Sequence, residues 1–465
     1  MRVRAAKIFA CLALSIGALL LGIPSASSAD SVATLDQELT ATLNQLGFTG
    51  KIEASLEKRL GRPINRRLAN LGRLLWFDTI IGLNNDNTCA GCHSPLAGFG
   101  DTQSIAIGIE SNKIVGSNRI GPRNQRRAPM VLNNGFYPTL MWNSRFSALS
   151  GDPFDNSKGF KFPDPEGLSL SNQPTLLAAQ AFIPTTERVE MAGFKFVGNN
   201  DDIRAEVITR LNASAAYRKL FGKIFPVVKQ GKPITYEMLA QAIAEFEFTL
   251  TFANAPIDRF ARGEKDAMTE SQKKGAILFF SRLGCVQCHA VSGQSNEMFS
   301  DFQQHNIGIP QLVPVKSNVD YDGINKNEDF GLAQVSGDPV DRYKFRTSPL
   351  RNIALQPTFF HNGCFTTIED AVRHHLDVFK SARDFKNNTA FLDADLTAPL
   401  GPIEPVLASV DPLLARPIEL TDEDFKQLVD FLRDGLLDPR AKPESLRLLI
   451  PTTLPSGNPS LVFSN

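Results

Sequence analysis

Two short motifs of the form Cys-x-x-Cys-His are the residues of this chain whose types and spacing point most directly to chemistry. Two cysteines three positions apart can each form a thioether with a vinyl group of one haem, and the next histidine then lies beneath the iron as its proximal ligand. The alternatives are a redox-active cysteine pair and half of a zinc site. Two complete copies favour haem. The predicted haem-binding residues are Cys89, Cys92 and His93, and Cys285, Cys288 and His289.

The amino terminus has the composition of a secretory signal. Arg2, Arg4 and Lys7 precede an apolar run over residues 8–23, and small residues follow up to Ala29. We expect cleavage after Ala29 and a periplasmic protein that is soluble after cleavage, because the apolar run is shorter than the roughly 20 residues of a spanning helix. An uncleaved membrane anchor is the alternative.

The composition excludes several classes of partner and of scaffold. The formal net charge is zero, so no basic surface for nucleic acid is expected. Of the six cysteines, four lie in the two motifs, Cys11 belongs to the leader and Cys364 stands alone. This is a poor framework for disulfides in an exported protein, so the paired cysteines need another role.

A helical stretch precedes each motif, over residues 68–77 and 274–280, and this internal repeat implies two similar units. Thr269 with Gln272 fits a capping box, and Thr421 fits the N-cap of a late helix. We predict a mainly α fold with two cytochrome c-like haem domains and long irregular loops. The expected divisions are a signal peptide (1–29), a lead-in (30–64), a first domain with an open haem (65–255), a second domain with an electron-transfer haem (256–445) and a C-terminal tail (446–465).

The group on the far side of each iron decides between peroxide chemistry and electron transfer, since a vacant position binds small oxidants. The histidines outside the motifs all follow the second motif: His305, His361, His374 and His375. The first domain therefore has no histidine of its own to close its iron. Its methionines are interpreted as core residues rather than ligands; they are Met130, Met141, Met191 and Met238.

Further segments resemble the diheme bacterial cytochrome c peroxidase family and its MauG-like branch, whose best-known member oxidises tryptophans of a partner protein. The resemblance extends from about Leu68 to Leu436. The segments that carry it are Arg127–Asn133, Met141–Arg145, Gln180–Pro184, Val189–Met191, Phe345–Asn352, Phe360–Gly363 and Thr367–Val372. It implies two covalently bound haem c groups and hydrogen peroxide as the oxidant.

The resemblance also implies roles for individual residues. Glu190 is similar to the family's acid/base carboxylate above the open haem, with Gln180 and Pro184 lining the same pocket. One carboxylate can take a proton from the near oxygen of peroxide and return one to the far oxygen. Trp142 is similar to the family tryptophan between the two haems, and His361 to a histidine that contacts a haem propionate.

The chain departs from the family pattern at several positions. His375 stands where peroxidases have a methionine ligand and MauG-like enzymes a tyrosine, with His374 as the fallback ligand of the second iron. No histidine between His93 and His289 can cap the first iron, which predicts an iron open without reductive activation. The family calcium site has Arg127 in place of an asparagine, so calcium is the least supported cofactor, with Asn124 as a substitute donor.

The predicted function is reduction of hydrogen peroxide at the first haem with electrons relayed through the second. The alternatives are a MauG-like oxidase of a partner protein's side chains and a non-catalytic diheme electron carrier. The expected electron donor is a small cytochrome c or cupredoxin, and a homodimer is a possible assembly. The insertion over residues 147–174 is interpreted as a surface or partner-binding loop.

Overall fold

The computed structural model describes residues 28–162, 170, 172–385, 392–396 and 400–464. The signal peptide predicted over residues 1–29 lies almost wholly outside this part of the chain, as do residues 163–169 and 171 of the insertion. No helix within the described residues combines the length and the apolar character needed to cross a bilayer.

The protein is mainly helical, as predicted, and its long connections are irregular. The helices of the first half are α1 (Ser28–Gln45), α2 (Leu56–Leu60), α3 (Arg66–Phe77), α4 (Cys89–Cys92), α5 (Leu176–Gln180), α6 (Asn200–Ala213), α7 (Ala215–Gly222), α8 (Pro226–Lys229), α9 (Tyr236–Thr249) and α10 (Pro256–Ala261). Those of the second half are α11 (Glu270–Ile277), α12 (Ala333–Ser336), α13 (Ile368–Leu376), α14 (Val378–Asp384), α15 (Glu404–Leu407), α16 (Asp422–Asp430) and α17 (Pro443–Leu446).

The strands of the described residues are only two or three residues long. They are β1 (Ile114–Val115), β2 (Thr139–Leu140), β3 (Phe146–Ala148), β4 (Phe160–Lys161), β5 (Gln304–His305), β6 (Phe345–Arg346) and β7 (Val462–Phe463). β1 pairs in parallel with β7, β2, β3 and β4 form an antiparallel sheet, and β5 pairs antiparallel with β6. Such short strands cannot form a core by themselves, so the helices carry the packing.

In the first half, α3 crosses α9 at very short range. A Cβ atom on Gly72 would lie 1.8 Å from the carbonyl oxygen of Ala242, so only glycine allows this approach. One turn further along each helix, Trp76 packs edge-on against Phe246 with ring centroids 5.6 Å apart. The crossing therefore places an aromatic pair directly beside the first haem motif, where Trp76 lies 5.8 Å from the ring of His93.

In the second half, α11 and α16 repeat this crossing. A Cβ atom on Gly275 would lie 2.0 Å from the carbonyl oxygen of Gln427. Four residues beyond each contact, Phe279 packs edge-on against Phe431 at 5.5 Å. The glycine and the aromatic thus have the same spacing in both halves, and the internal repeat includes the packing of its helices.

Local sequence signals explain where these helices begin. Thr269 accepts a hydrogen bond from the N–H of Gln272, and the side chain of Gln272 accepts one from the N–H of Thr269. Thr421 accepts from the N–H of Asp424 at the start of α16. Both caps are as predicted, because hydroxyl and amide side chains satisfy the free N–H groups of a first helical turn.

The two ends of the chain pack on opposite halves. Leu39 and Leu43 of α1 are buried with the second-half core, and Lys273 forms an ion pair with Asp36. At the other end, β7 pairs with β1 and Ser456 donates to Asp78, so the predicted tail is a packed part of the first half. Each haem unit is therefore completed by the distant end of the chain.

The described part of the insertion is also packed. Phe154 lies between Phe136 and Phe248, with ring centroids 5.9 Å apart in both pairs. Arg59 donates to Asp152 at 2.7 Å and lies over the ring of Phe154. These contacts attach the beginning of the insertion to the first-half core.

Candidate active site

The two Cys-x-x-Cys-His motifs fold into the same turn. The N–H of His93 donates to the carbonyl of Cys89, and the N–H of His289 to that of Cys285, both at 2.8 Å. Each turn brings its two cysteines and its histidine to the wall of one cavity, of about 270 Å³ in the first half and about 260 Å³ in the second. The cysteine thiols are free rather than paired, so each cavity has two thiols and one imidazole at its wall.

Both motif histidines are poised to bind a metal through Nε2. Nδ1 of His93 lies 3.0 Å from the carbonyl oxygen of Pro129, and Nδ1 of His289 lies 3.0 Å from that of Phe299. Since a carbonyl only accepts, Nδ1 carries the proton and Nε2 carries a lone pair. Burial lowers the pKa of each imidazole to about 4, which keeps both neutral at physiological pH.

Glu190 lies in a π-helical turn, Arg188–Ala192, at the wall of the first cavity. The turn is tied to the segment around the first haem motif, because Asn87 donates to the carbonyl of Glu190 at 2.9 Å. Gly108 permits the close approach, since a Cβ atom there would lie 2.0 Å from the carbonyl of Val189. Such turns occur often at functional sites, and here one presents a carboxylate to the cavity.

The electrostatic environment of Glu190 favours proton exchange near neutral pH. Burial and, to a smaller extent, the negative charge of Glu187 raise the pKa of its carboxyl to about 7. Arg145 acts in the opposite direction and forms an ion pair with Glu187 at 3.1 Å. The arrangement leaves Glu190 able to accept and to donate a proton at physiological pH.

Gln180 and Pro184 line the same cavity as Glu190 and His93. Gln180 is the last residue of α5, whose first turn is capped by Thr175. The structure therefore brings the three residues that the family resemblance assigns to one pocket into one cavity.

In the second cavity, His375 of α13 faces His289. The two ring centroids are 6.3 Å apart, close to the ~6 Å expected when two imidazoles bind opposite faces of one metal ion with metal–nitrogen bonds of about 2.0 Å. Nδ1 of His375 lies 2.8 Å from the carbonyl of Ala371, so Nε2 carries the lone pair. Among the histidines after the second motif, His375 is therefore the one that would be able to hold a metal ion together with His289.

His374, the alternative ligand, is held by other groups. Its Nε2 lies 2.7 Å from the carbonyl of Ile307, and its Nδ1 lies 3.1 Å from the hydroxyl of Ser381. Its side chain is fully buried between Phe360 and Phe365, outside the lining of the second cavity. Both ring nitrogens thus have protein partners.

His361 and His305 both line the second cavity, but they differ in their hydrogen bonds and in their charge. His361 stacks on Phe345 with centroids 3.6 Å apart, and its buried Nε2 has no hydrogen-bond partner within the described residues, although the Asp329 carboxylate lies 3.9 Å away. His305 lies between Asp301 and Asp411, and its hydrogen bonds to Asp301, Cys288 and Asp411 together raise the pKa of its imidazole to about 11. His361 thus offers a ring nitrogen without a hydrogen bond, whereas His305 is a cation paired with carboxylates.

Trp142 lies between the two cavities and lines both. Its indole N–H donates to the carbonyl of Arg127 at 3.0 Å, and its own carbonyl accepts from the N–H of Arg346 at 2.8 Å. These bonds fix the ring from both sides. The resemblance predicts a bridging position for Trp142, and in the structure this residue lines both cavities.

Three of the four first-half methionines also line the first cavity: Met130, Met141 and Met191. The sequence predicted that these methionines are core residues. Met191 is buried in the first-half core, whereas Met130 and Met141 are half-buried. A thioether is therefore available near the first haem position, and ligation by methionine is the alternative to an open iron there.

Sequence reasoning missed Glu247, a second carboxyl group at the first cavity. It is buried in α9, accepts from the amide of Asn134 at 2.7 Å, and its other oxygen has no partner in the described structure. Burial raises the pKa of Glu247 to about 8. The sequence did contain a signal for it, because Glu247 lies four residues after Ile243 and therefore on the apolar face of the same helix.

A mainly helical chain whose two Cys-x-x-Cys-His turns open onto two separate cavities, with one tryptophan common to both, has the architecture of a diheme oxidoreductase. The proximal sides of the two cavities are alike. Their far sides differ, since one presents a carboxylate and the other an imidazole.

Comparison with known proteins gives the same result. Residues 66–266 match the family model of di-haem cytochrome c peroxidases. The methylamine utilization protein MauG of Paracoccus denitrificans is 29% identical over 82% of this chain and 91% of its own length. The cytochrome c551 peroxidase of Pseudomonas aeruginosa is 26% identical over 67% of this chain and 72% of its own length.

A solved structure shares the fold. The diheme peroxidase BthA from Burkholderia thailandensis superposes with a TM-score of 0.55 at 19% identity, covering 86% of this chain and 91% of BthA. The chain is similar to the diheme cytochrome c peroxidases and MauG proteins, and this similarity supports a peroxidase-type oxidoreductase. The family resemblance inferred from the motifs is confirmed.

Proposed function

We propose that the protein binds two haems c covalently and reduces hydrogen peroxide at the first, with electrons relayed through the second. The asymmetry of the two cavities carries this proposal. His375 faces His289 at 6.3 Å in the second cavity. In the first cavity His93 is the only histidine of the lining, and Glu190 takes part in its wall.

The residues present fit haem. Each cavity has two free thiols and a neutral imidazole with its Nε2 available. Burial raises the pKa of the Cys92 and Cys285 thiols to about 12, so they remain protonated thiols, the form that adds across a vinyl group. The Nε2 of His361 has no hydrogen-bond partner in the described structure, which supports its proposed role as a contact of a haem propionate.

Bound haem supplies an iron that coordinates peroxide and exchanges electrons. Glu190 holds and moves the proton: as a carboxylate it accepts the proton from the near oxygen of peroxide, and as an acid it returns it to the far oxygen. A pKa of about 7 makes both steps accessible. Gln180 and Pro184 shape the same wall and restrict the volume beside the reacting oxygens.

Trp142 is proposed to pass electrons between the two cofactors. Its ring lines both cavities, and hydrogen bonds to residues 127 and 346 hold it in place. A fixed aromatic ring shortens the path between two redox centres without needing to move.

Calcium is left out of the proposed cofactor set. Asn124 has a buried side-chain oxygen without a partner in the described structure, which suits a cation. However, the buried guanidinium groups of Arg127 and Arg346 line the same cavity and repel a divalent ion. We expect a chelator to leave the optical spectrum and the activity unchanged.

Export to the periplasm and a small cytochrome c or cupredoxin as electron donor complete the proposal. Covalent haem and a leader with an apolar run support export. Fractionation of cells that express the chain should place the haem-stained protein in the periplasmic fraction, and haem-stained protein in the cytoplasm would contradict export.

The electron paramagnetic resonance spectrum of the diferric protein tests the ligation. We expect one high-spin signal from the first iron and one low-spin signal typical of two imidazoles from the second. In His375→Ala the low-spin signal should be lost, whereas in the matched control His374→Ala it should persist. Two low-spin signals in the unaltered protein, together with the near-infrared absorption band of methionine-bound iron, would instead indicate that the first iron is closed by methionine. The protein would then be an electron carrier.

A MauG-like oxidase of a partner protein is the second candidate. The position of Trp142 against both cavities favours it, because a shared ring lets both haems hold oxidising equivalents. The assay is oxidation of reduced cytochrome c by peroxide. Rapid turnover supports the peroxidase, and failure to turn over any small donor, with an otherwise intact diferric spectrum, supports the side-chain oxidase.

A further inference from the structure

Two arginines, Arg127 and Arg346, are buried without a carboxylate partner. Their exposed fractions are 3% and 4%, and within the described chain neither lies at ion-pair distance from an aspartate or glutamate. Burial lowers the pKa of both guanidinium groups to about 10, so both remain charged at physiological pH. The Asp101 carboxylate acts on Arg127 from beyond ion-pair distance, whereas no carboxylate acts on Arg346 within the described residues. A buried charge without a counter-charge is costly, which suggests that the counter-charge of Arg346 is supplied by something else.

The other buried arginines show how this chain normally satisfies such groups. Arg351 is fully buried and makes two bonds to Asp258, at 2.7 and 2.8 Å. Arg119 has no carboxylate, but its three guanidinium nitrogens donate to protein acceptors such as the carbonyl of Ile107. Both are complete without a ligand.

The guanidinium group of Arg346, by contrast, lacks some of its hydrogen-bond acceptors. Nε donates to the carbonyl of Met141 at 3.1 Å, and Nη1 reaches the carbonyl of Thr347 only at 3.5 Å. Nη2 has no protein acceptor within the described residues. The guanidinium carbon lies 5.8 Å from the ring centroid of Tyr137 and 5.5 Å from that of Phe302, so aromatic faces hold it from the sides.

Both arginines line both cavities. Arg127 is fixed by Thr358, Gln356 and the carbonyl of Asp101. Arg346 adjoins Trp142 through the backbone hydrogen bond already described. Arg346, with its free donors, therefore lies at the boundary of the two cavities.

Haem supplies the missing charge. Each haem carries two carboxylates on the edge opposite the vinyl groups, and the guanidinium fork matches carboxylate geometry. A carboxylate from each haem can reach a group that lines both cavities. This inference rests on the proposed binding of two haems and adds a residue that neither the motifs nor the family resemblance assigned.

We propose that Arg346, supported by the fixed positive charge of Arg127, binds a carboxylate of each haem and thereby joins the two cofactors electrostatically. One guanidinium then stabilises the reduced, less positive form of both irons. Loss of its charge lowers the reduction potential of both haems together.

Potentiometric titration followed by optical spectra tests the proposal in Arg346→Gln and Arg346→Lys. In Arg346→Gln we expect the equilibrium constant for reduction to fall at least about tenfold at both haems, which is about 59 mV for a one-electron couple. Arg346→Lys keeps the charge and should recover most of both shifts. Arg123→Gln is the matched control, because Arg123 is equally buried, pairs with Asp393 and Asp395, and lies outside both cavity linings.

A shift at only one haem in Arg346→Gln, or no shift at either, would overturn the proposal. Should Arg346→Gln not fold, resonance Raman spectra of the unaltered protein and Arg346→Lys decide. The propionate bending bands of both haems should move on substitution, and unmoved bands overturn the proposal. Haem content and the spin-state spectrum report separately on the proposed function, so two bound haems without these shifts would refute only the role of Arg346.

Discussion

The two haem units are alike on the side of the motif histidine and different on the far side. In both, a glycine lets two helices cross at backbone contact, an aromatic pair follows one turn later, and a carbonyl accepts from Nδ1 of the motif histidine. On the far side, the first cavity has Glu190 in a π turn and the second has His375 in a regular helix. A repeated unit can therefore hold the cofactor while the segments that are not repeated decide its chemistry.

The largest expected effect comes from removing the carboxylate that distinguishes the first cavity. Glu190→Gln should lower kcat/KM for peroxide by about 10²- to 10⁴-fold, because the proton transfer loses its acid/base group. Steady-state peroxide reduction measures this. Glu187→Gln is the matched control, since it removes a neighbouring charge and should retain most of the activity. Equal losses in both variants would assign the effect to local charge rather than to proton transfer.

The shared helix crossing gives the next comparison. Gly72→Ala and Gly275→Ala should each destabilise the protein by about 1–3 kcal/mol, since the added Cβ would lie 1.8 or 2.0 Å from a backbone carbonyl. Urea unfolding of the haem-loaded protein measures both. Gly222→Ala is the matched control, because Gly222 lies in a helix and a Cβ atom there would come no closer than 3.5 Å to another residue. A large cost in only one half would show that the two units are not packed alike.

Replacing the ligand that distinguishes the second cavity should change its potential. His375→Met substitutes a thioether for an imidazole, and a methionine ligand raises the reduction potential of a haem. We expect the equilibrium constant for reduction of the second haem to rise by tenfold or more, with the first haem unchanged. Potentiometric titration resolves the two. An equal shift in the potential of both haems would exclude His375 as a ligand of the second iron alone.

The smallest effect is the pH dependence of the first cavity. Because the pKa of Glu190 is raised to about 7, its carboxylate form is lost as the pH falls through 7, and kcat/KM for peroxide should fall about tenfold per pH unit below that point. Glu187→Gln should move this limb to lower pH, since the charge of Glu187 helps to raise the pKa of Glu190. A profile that is unchanged in both glutamate variants would exclude Glu190 as the titrating group.

Many local features could be predicted because their physics is local. The motif turns, the Thr269 and Thr421 caps and the helices before each motif depend on residues within a few positions of one another. The mainly helical fold class followed from the same signals. The glycine-to-aromatic spacing of Gly72 and Trp76, repeated at Gly275 and Phe279, was also visible in the sequence, but its meaning depends on a partner helix far along the chain.

Other features could not be read from neighbouring residues. The sequence left His374 and His375 as competing ligands, and it did not single out Glu247 or Arg346. Adjacent helical residues point about 100° apart, so the choice between the two histidines depends on where α13 lies relative to His289. A buried carboxyl or guanidinium is unusual only once the surrounding residues exclude water.

The sequence by itself predicted the cofactor class and the proximal residues, because thioether attachment and iron ligation need only five consecutive residues. The tertiary structure alone decided which histidine faces His289, which side chains separate the two cavities, and that each chain end packs on the other half. Those facts depend on contacts between residues hundreds of positions apart. Such contacts form only when the helices cross and bury their shared surfaces, and short-range patterns do not record that outcome.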